Sequence, residues 1–97
     1  MRDPKLTDAA VQAALALRAG WSLKDGMISR TFVFADFVAA MRFVNAVADA
    51  AEAADHHPDM DIRYNKVTLA LTTHDSGGLT EKDFALAAQA DTLVTVD

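Results

Sequence analysis

The spacing of hydrophobic residues predicts a long amphipathic helix near the middle of the chain. From residue 36 to about residue 54, apolar positions recur at alternating intervals of four and three, which is the period of a helix with one buried face. These positions are Phe37, Met41, Val44, Ala48 and Ala51. Pro58 is placed to end this second helix, because a proline ring disfavours helical backbone at the preceding residue.

Alternation of apolar and polar residues predicts two hairpins, one on each side of that helix. The four strands span residues 21–24, 28–34, 60–64 and 67–71. Asp25 and Gly26 are typical turn residues and separate the first two strands. Asn65 and Lys66 lie between the last two strands, where a two-residue turn fits. The hairpins predict antiparallel pairing within each pair of strands.

Capping signals predict a first and a third helix. Thr7 can cap a helix that runs to about residue 18, and Gly20 is placed to end it. Thr80 and Asp83 form a capping box at the start of the third helix. The order helix, two strands, helix, two strands, helix predicts an α+β fold, with a four-stranded antiparallel sheet and the helices on one face. A chain of 97 residues fits one domain, residues 1–97.

Charge and composition exclude several classes of function. The net charge is -5 and the pI is near 4.9, so phosphate backbones and anionic membranes are repelled as partners. No cysteine is present, which excludes disulfides, thiolate nucleophiles and cysteine-based metal sites. The N-terminus carries charges instead of the apolar run of a secretion signal. We expect a soluble, cytoplasmic protein that binds neither nucleic acid nor membrane.

The length of the chain favours self-association. A domain of this size has a thin core, so part of its 52% hydrophobic composition can be buried between subunits. The second helix carries additional alanines on its other faces. They are Ala39, Ala46, Ala50 and Ala53. Such small residues permit a close approach of another helix, although alanine is also the best helix former.

The three histidines of the chain are the main candidates for chemistry. His56 and His57 stand side by side at the end of the second helix, and His74 ends the fourth strand, two residues past Thr72 and on the opposite face from Leu69 and Leu71. Loops on a rigid scaffold are where binding and catalytic groups concentrate. Imidazole can both give and take a proton near neutral pH, and Asp55 or Asp75 could fix its tautomer. Acid–base work on a bound small molecule is therefore one interpretation.

Two other interpretations of these histidines stay open on the pattern alone. Histidines in loops are commonly solvated polar residues, and a pair before a proline can be a simple helix stop. A metal site is the other interpretation, but adjacent histidines such as His56 and His57 rarely chelate together, and no H-x-x-x-H spacing occurs. Asp83 likewise already has a structural role at the third position of a capping box.

Two long stretches resemble one known family. The segment HHPDMDIRYNKVTLALTTHDSGGLTEKD is similar to the signature of the pterin-4a-carbinolamine dehydratases, also described as dimerisation cofactors of a homeodomain transcription factor. Upstream, GWSLKDGMISRTFVFADFVAAMRFVNAVADAAE resembles the same family's tryptophan, F-x-F-x-D-F and helix-two pattern, so the match runs from about Gly20 to Ala88. The resemblance implies a four-stranded antiparallel sheet with three helices on one face. It also implies dehydration of 4a-hydroxytetrahydropterin to quinonoid dihydropterin without a metal or redox cofactor.

The resemblance also assigns roles to residues of this chain. His56 and His74 resemble the family's acid–base pair, and His57 resembles the histidine that chiefly holds the pterin. Five further positions are expected to contact or surround the substrate: Glu52, Asp55, Thr73, Asp75 and Asp83. No metal ligand is expected. Met60 stands where most members have an aromatic residue; methionine packs against a ring through its sulfur but cannot stack on it.

The resemblance further implies a homodimer or homotetramer, in which sheets join edge to edge and the second helix packs between dimers. Some relatives with this fold serve as assembly or regulatory factors and lack the histidines. A non-catalytic scaffold is therefore the alternative function. All three histidines are present here, which favours the enzyme.

Overall fold

The computed structural model describes residues 3–94, and its elements follow the predicted order. They are α1 (Asp8–Ala16), β1 (Ser22–Lys24), β2 (Met27–Val33), α2 (Phe37–Ala54), β3 (Asp59–Arg63), β4 (Lys66–Leu71), a 3-10 turn (His74–Ser76) and α3 (Glu81–Leu93). The strands form one antiparallel sheet in the order β1-β2-β4-β3. The predicted α+β architecture is confirmed. None of the helices within residues 3–94 is both long and apolar enough to span a bilayer.

One face of the sheet is apolar and covered by the helices. The buried side chains of this face in the two central strands are Ile28, Phe32, Val67, Leu69 and Leu71. Side chains from all three helices belong to the same buried cluster, for example Val11, Phe43 and Leu86. The opposite face is polar, and the hydroxyl oxygens of Thr31 and Thr68 lie 2.7 Å apart across neighbouring strands. Burial of one face only is what sets the register of such a sheet.

The buried face of α2 is rotated from the predicted one. Phe37, predicted to be buried, is 47% exposed, and Val47, which the prediction left out, is fully buried. The centre of the face is Phe43, whose ring lies 4.6 Å from that of Phe32 and 5.0 Å from that of Phe34, centroid to centroid. Both faces of this alanine-rich helix have a helical apolar period. Phe37 and Phe43 carry the same ring, but only that of Phe43 packs against Phe32 and Phe34, so the face with Phe43 is the buried one.

The ends of the helices follow the capping rules. The Thr7 hydroxyl accepts the Ala10 N–H at 3.1 Å, and α1 ends at Ala16, two residues before the predicted end. The Asp36 carboxylate accepts the Ala39 N–H at 2.9 Å at the start of α2. At α3 both halves of the predicted capping box are present. The starts of the three helices agree with the sequence because a cap joins a side chain to a backbone N–H only two or three residues away.

The second hairpin turns one residue earlier than predicted. Tyr64 and Asn65 occupy the turn, and Lys66 is already the first residue of β4, where it pairs with Arg63. Tyr64 has a left-handed backbone, with φ of 53°. Asn65 fixes this turn from outside the hairpin, because its amide nitrogen donates to the Phe34 carbonyl at 2.8 Å and its carbonyl accepts the Phe34 N–H at 2.8 Å. This contact joins residues 31 positions apart, so the local sequence pattern does not predict it.

Candidate active site

The three histidines lie around one cavity of about 290 Å³. His56 and His57 follow the end of α2, and His74 begins the 3-10 turn after β4. The lining residues are Asp55, His56, His57, Thr72, Thr73, His74, Asp75 and Lys82. Larger cavities of about 520 and 460 Å³ lie against the N-terminal segment, but neither has a histidine in its lining. The fold thus brings together residues 18 positions apart in the chain.

The end of α2 determines where the histidine pair lies. Asp55 adopts a left-handed backbone, with φ of 52° and ψ of 44°. Its N–H donates to the Glu52 carbonyl at 3.2 Å, and the His56 N–H donates to the Ala51 carbonyl at 3.1 Å. This pair of hydrogen bonds is the Schellman arrangement. The helix therefore ends at Ala54, as predicted, but the left-handed Asp55 ends it three residues before Pro58, so the prediction that the proline itself ends the helix is wrong.

His56 is held by a buried carboxylate. Its Nε2 lies 2.6 Å from Oδ1 of Asp83, whose side chain is fully buried, while the His56 side chain is 11% exposed. The other carboxylate oxygen, Oδ2, accepts the Thr80 N–H at 2.9 Å and the Thr73 hydroxyl at 2.8 Å. One oxygen of Asp83 therefore caps α3 and the other one holds His56. The predicted structural role of Asp83 in the capping box is confirmed, and the contact with His56 uses the other oxygen.

His57 has an exposed carboxylate partner. Its Nε2 lies 2.5 Å from Oε2 of Glu52, which is one turn back on α2. The His57 side chain is 56% exposed and that of Glu52 is 78% exposed. Water competes for both groups at such exposure, so the pair is only weakly constrained.

The loop that carries His74 is closed by backbone hydrogen bonds. Thr73 and Gly78 exchange two N–H to carbonyl bonds, each of 3.3 Å, and Gly77 takes the left-handed backbone that the turn requires, with φ of 77°. His74 therefore opens a 3-10 turn instead of continuing the strand, as its alternation with Thr72 had indicated. Its side chain is exposed and has no hydrogen-bonding partner within residues 3–94.

The residues predicted to surround a substrate fall into two groups. Asp55, Thr73 and Asp75 line the cavity, whereas Glu52 and Asp83 do not line it but contact His57 and His56. Two lining residues were missed by the sequence interpretation. They are Thr72 and Lys82. The Lys82 ammonium lies 3.2 Å from the Asp3 carboxylate; the only local signal for this lysine is its position beside Asp83 in the first turn of α3.

Comparison with known proteins identifies the family. Residues 4–93 match the family described as Pterin 4 alpha carbinolamine dehydratase. The chain belongs to this family. A Chloroflexus aurantiacus relative, provisionally named a pterin-4-alpha-carbinolamine dehydratase, is 60% identical over 91 residues, which cover 94% of this chain and 98% of the relative. A Picosynechococcus relative with the same provisional name is 55% identical and is covered to 97%, with 92% of this chain aligned. The expectation of a member of a hydro-lyase family is confirmed.

Solved structures agree with this assignment. A protein from Brucella melitensis, described as a transcriptional coactivator/pterin dehydratase, superposes with a TM-score of 0.90 at 36% identity and covers 93% of this chain and 98% of its own. A second structure is a pterin dehydratase-like protein identified as a RuBisCO assembly factor in the alpha-carboxysome. Its TM-score is 0.64 at 25% identity, with 77% of this chain and 87% of that chain covered. The pterin dehydratase fold thus occurs in proteins described by different functions.

Proposed function

We propose that this member of the family dehydrates 4a-hydroxytetrahydropterin, the pterin-4a-carbinolamine, to quinonoid dihydropterin. The observation that carries the proposal is the meeting of His56, His57 and His74 at one cavity. Such a reaction needs a general acid and a general base, and imidazole can serve as either one near neutral pH. The reaction would recycle the pterin after aromatic amino acid hydroxylation.

The chemistry is proton transfer alone. A proton is delivered to the hydroxyl on C4a, the C4a–O bond breaks with its electron pair, and the oxygen leaves as water. The proton on N5 is removed, and the electrons of the N5–H bond form the double bond between N5 and C4a. No electrons are gained or lost, so an acid and a base in the right positions suffice.

The roles of the histidines follow their surroundings. His56 and His74 act as the acid–base pair, and His57 holds the pterin ring from the open side of the cavity. Asp55, Thr73 and Asp75 offer polar atoms to the ring where they line the cavity. Met60, half-buried and packed against the core, replaces the aromatic residue usual in the family. This replacement should affect which pterin the protein prefers more than the type of reaction.

A non-catalytic scaffold is the second candidate, because one solved relative is described as a RuBisCO assembly factor. The test is to supply 4a-hydroxytetrahydropterin, made in place by an aromatic amino acid hydroxylase, and to follow its loss with and without the protein. The enzyme predicts an acceleration proportional to protein concentration. A folded protein that leaves the spontaneous rate unchanged would contradict the proposed function and favour the scaffold.

A further inference from the structure

The hydrogen bonds around Asp83 have a fixed direction. The Thr80 N–H can only donate, and the Thr73 hydroxyl gives its single proton to Oδ2 of Asp83 at 2.8 Å. The contact of 2.9 Å between the Thr73 and Thr80 hydroxyls must then have Thr80 as its donor. The Thr80 oxygen in turn accepts the Lys82 N–H at 3.2 Å. Every proton in this buried network points towards Asp83.

Asp83 is therefore an acceptor on both oxygens. Two donors and the start of α3 surround Oδ2, an arrangement that stabilises the ionised carboxylate. An ionised carboxylate has no proton to give, so the contact of 2.6 Å between Oδ1 and His56 requires a proton on Nε2 of the imidazole. The neutral form of His56 then has its lone pair on Nδ1.

The surroundings of the second ring nitrogen of His56 differ from those of Nε2. Nδ1 has no partner within the part of the chain that the structure describes. Only one side-chain nitrogen or oxygen there is both buried and without a hydrogen bond, and it is Oδ2 of Asp3, the atom in the ion pair with Lys82. Nδ1 is therefore accessible to solvent, in a residue that lines the histidine cavity. Asp83 itself has no exposed surface with which to contact a substrate.

We propose that Asp83 is a positioning residue that holds His56 in its Nε2–H tautomer and so makes Nδ1 the atom that exchanges a proton with the substrate. The part that concerns the substrate rests on the proposed function. Nδ1 gives its proton to the departing C4a hydroxyl or takes the proton from N5, and the Nε2 proton stays on the side of Asp83 throughout. The carboxylate also stabilises the imidazolium that exists during each cycle. This role replaces the predicted substrate contact of Asp83.

The test reads the tautomer directly. Long-range ¹H–¹⁵N correlation spectra of the histidine side chains, recorded at rising pH until the spectra no longer change, separate a protonated nitrogen from an unprotonated one in the neutral imidazole. The wild type should show His56 in a single tautomer with the proton on Nε2. Because this measurement needs neither substrate nor variant, it stands apart from the test of the proposed function.

Asp83→Asn is the matched variant. Thr80 and Thr73 still need an acceptor, so the amide oxygen takes the place of Oδ2 and the amide N–H₂ faces His56. A donor at that position requires a lone pair on Nε2, so the proton should move to Nδ1. We expect kcat for dehydration to fall by about 10²- to 10⁴-fold in a protein that keeps its circular dichroism spectrum. Asp36→Asn is the control, because this carboxylate caps α2 and contacts no histidine; His56 should keep its tautomer and kcat should stay within about threefold.

Two results would overturn the inference. One is a wild-type spectrum with the His56 proton on Nδ1. The other is an Asp83→Asn protein whose tautomer and kcat both match those of the wild type. A wild type with the Nε2–H tautomer that fails to accelerate dehydration would instead contradict the proposed function, and it would support the positioning role of Asp83.

Discussion

His56 and His57 are neighbours in the chain, and each places Nε2 against a carboxylate, at 2.6 Å from Asp83 and 2.5 Å from Glu52. The surroundings of the two pairs are opposite. Asp83 is fully buried and accepts two more hydrogen bonds, whereas Glu52 is 78% exposed. A buried, fully bonded partner fixes one orientation and one tautomer, while an exposed partner exchanges with water. Equal distances therefore do not imply equal constraint.

The difference suits the two proposed tasks. A proton-transfer group must hold its reacting atom within a fraction of an ångström, and His56 has the buried support for it. A group that holds a ring at the open side of a cavity can move with the substrate, and His57 is free to do so. His74 differs from both, since its side chain has no hydrogen-bonding partner within residues 3–94. In the proposed function His74 is the second proton-exchanging group, and hydrogen bonds do not constrain its ring.

The largest expected effect is the separation of the histidines by kinetics. His56→Ala and His74→Ala should each lower kcat for dehydration by about 10²- to 10⁴-fold, the range for positioned acid–base groups. His57→Ala should mainly raise KM, because it removes a contact made equally in the ground and transition states. Steady-state kinetics on the three variants, with circular dichroism as folding control, test this. A main effect on kcat at His57 and on KM at His56 would reverse the assignment.

Removal of the Asp83 and Glu52 carboxylates should have different effects on the free energy of unfolding. Asp83→Ala leaves three donors without their acceptor, on the Thr73 hydroxyl, the Thr80 backbone and the His56 ring, and should lower the free energy of unfolding by about 2 to 4 kcal/mol. Glu52→Ala should change it by about 0.5 kcal/mol or less, because water replaces the exposed contact. Urea denaturation at one fixed protein concentration measures both.

A further variant measures how much of the stability lost in Asp83→Ala is due to loss of the helix cap alone. Asp36→Ala removes the cap of α2, which has no histidine partner, and should cost about 1 kcal/mol. The excess of Asp83→Ala over Asp36→Ala then reports the buried network around His56. Equal losses for the two variants would mean that Asp83 does no more than cap its helix.

Self-association could reduce the contrast between the pairs. We predict a homodimer or homotetramer, because the core is thin and α2 leaves Phe37 and Val38 about half exposed, at 47% and 56%. Glu52 lies on the same helix, so a subunit packed there could bury the pair that is exposed in one chain. Light scattering at micromolar concentration should give a mass above that of one chain, 10.4 kDa. A single species at the monomer mass would contradict this prediction.

The smallest expected effect is that of metal removal. Within residues 3–94 no group of three histidine, cysteine or acidic side chains could hold a metal ion. His56 and His57 each have Nε2 in contact with a carboxylate, so that nitrogen is not available to a metal ion. The proposed chemistry needs only proton transfer. Dehydration should therefore continue at an undiminished rate after exhaustive chelation. Activity that is lost on chelation and restored by zinc would show the opposite.

Local features of the sequence determined much of this protein. The caps at Thr7, Asp36 and Thr80 begin the three helices where the pattern predicts, since a cap joins groups only two or three residues apart. The alternation in β2 and β4 predicts the buried face of the sheet, because side chains along a strand point alternately to opposite faces. The three histidines could be chosen as candidates because their chemistry belongs to the residue type.

The tertiary structure decided what depends on residues distant in the chain. Asp91, which no motif singles out, accepts hydrogen bonds from Arg18, Trp21 and Arg30 on three different parts of the fold. The buried face of α2 and the turn at Tyr64 were likewise set by contacts with Phe32, Phe34 and Asn65. His56 and His57 have nearly the same local sequence but opposite burial, because only His56 meets Asp83, 27 residues further on. Desolvation and hydrogen bonding at that distance arise only when the chain is folded, and no local spacing encodes them.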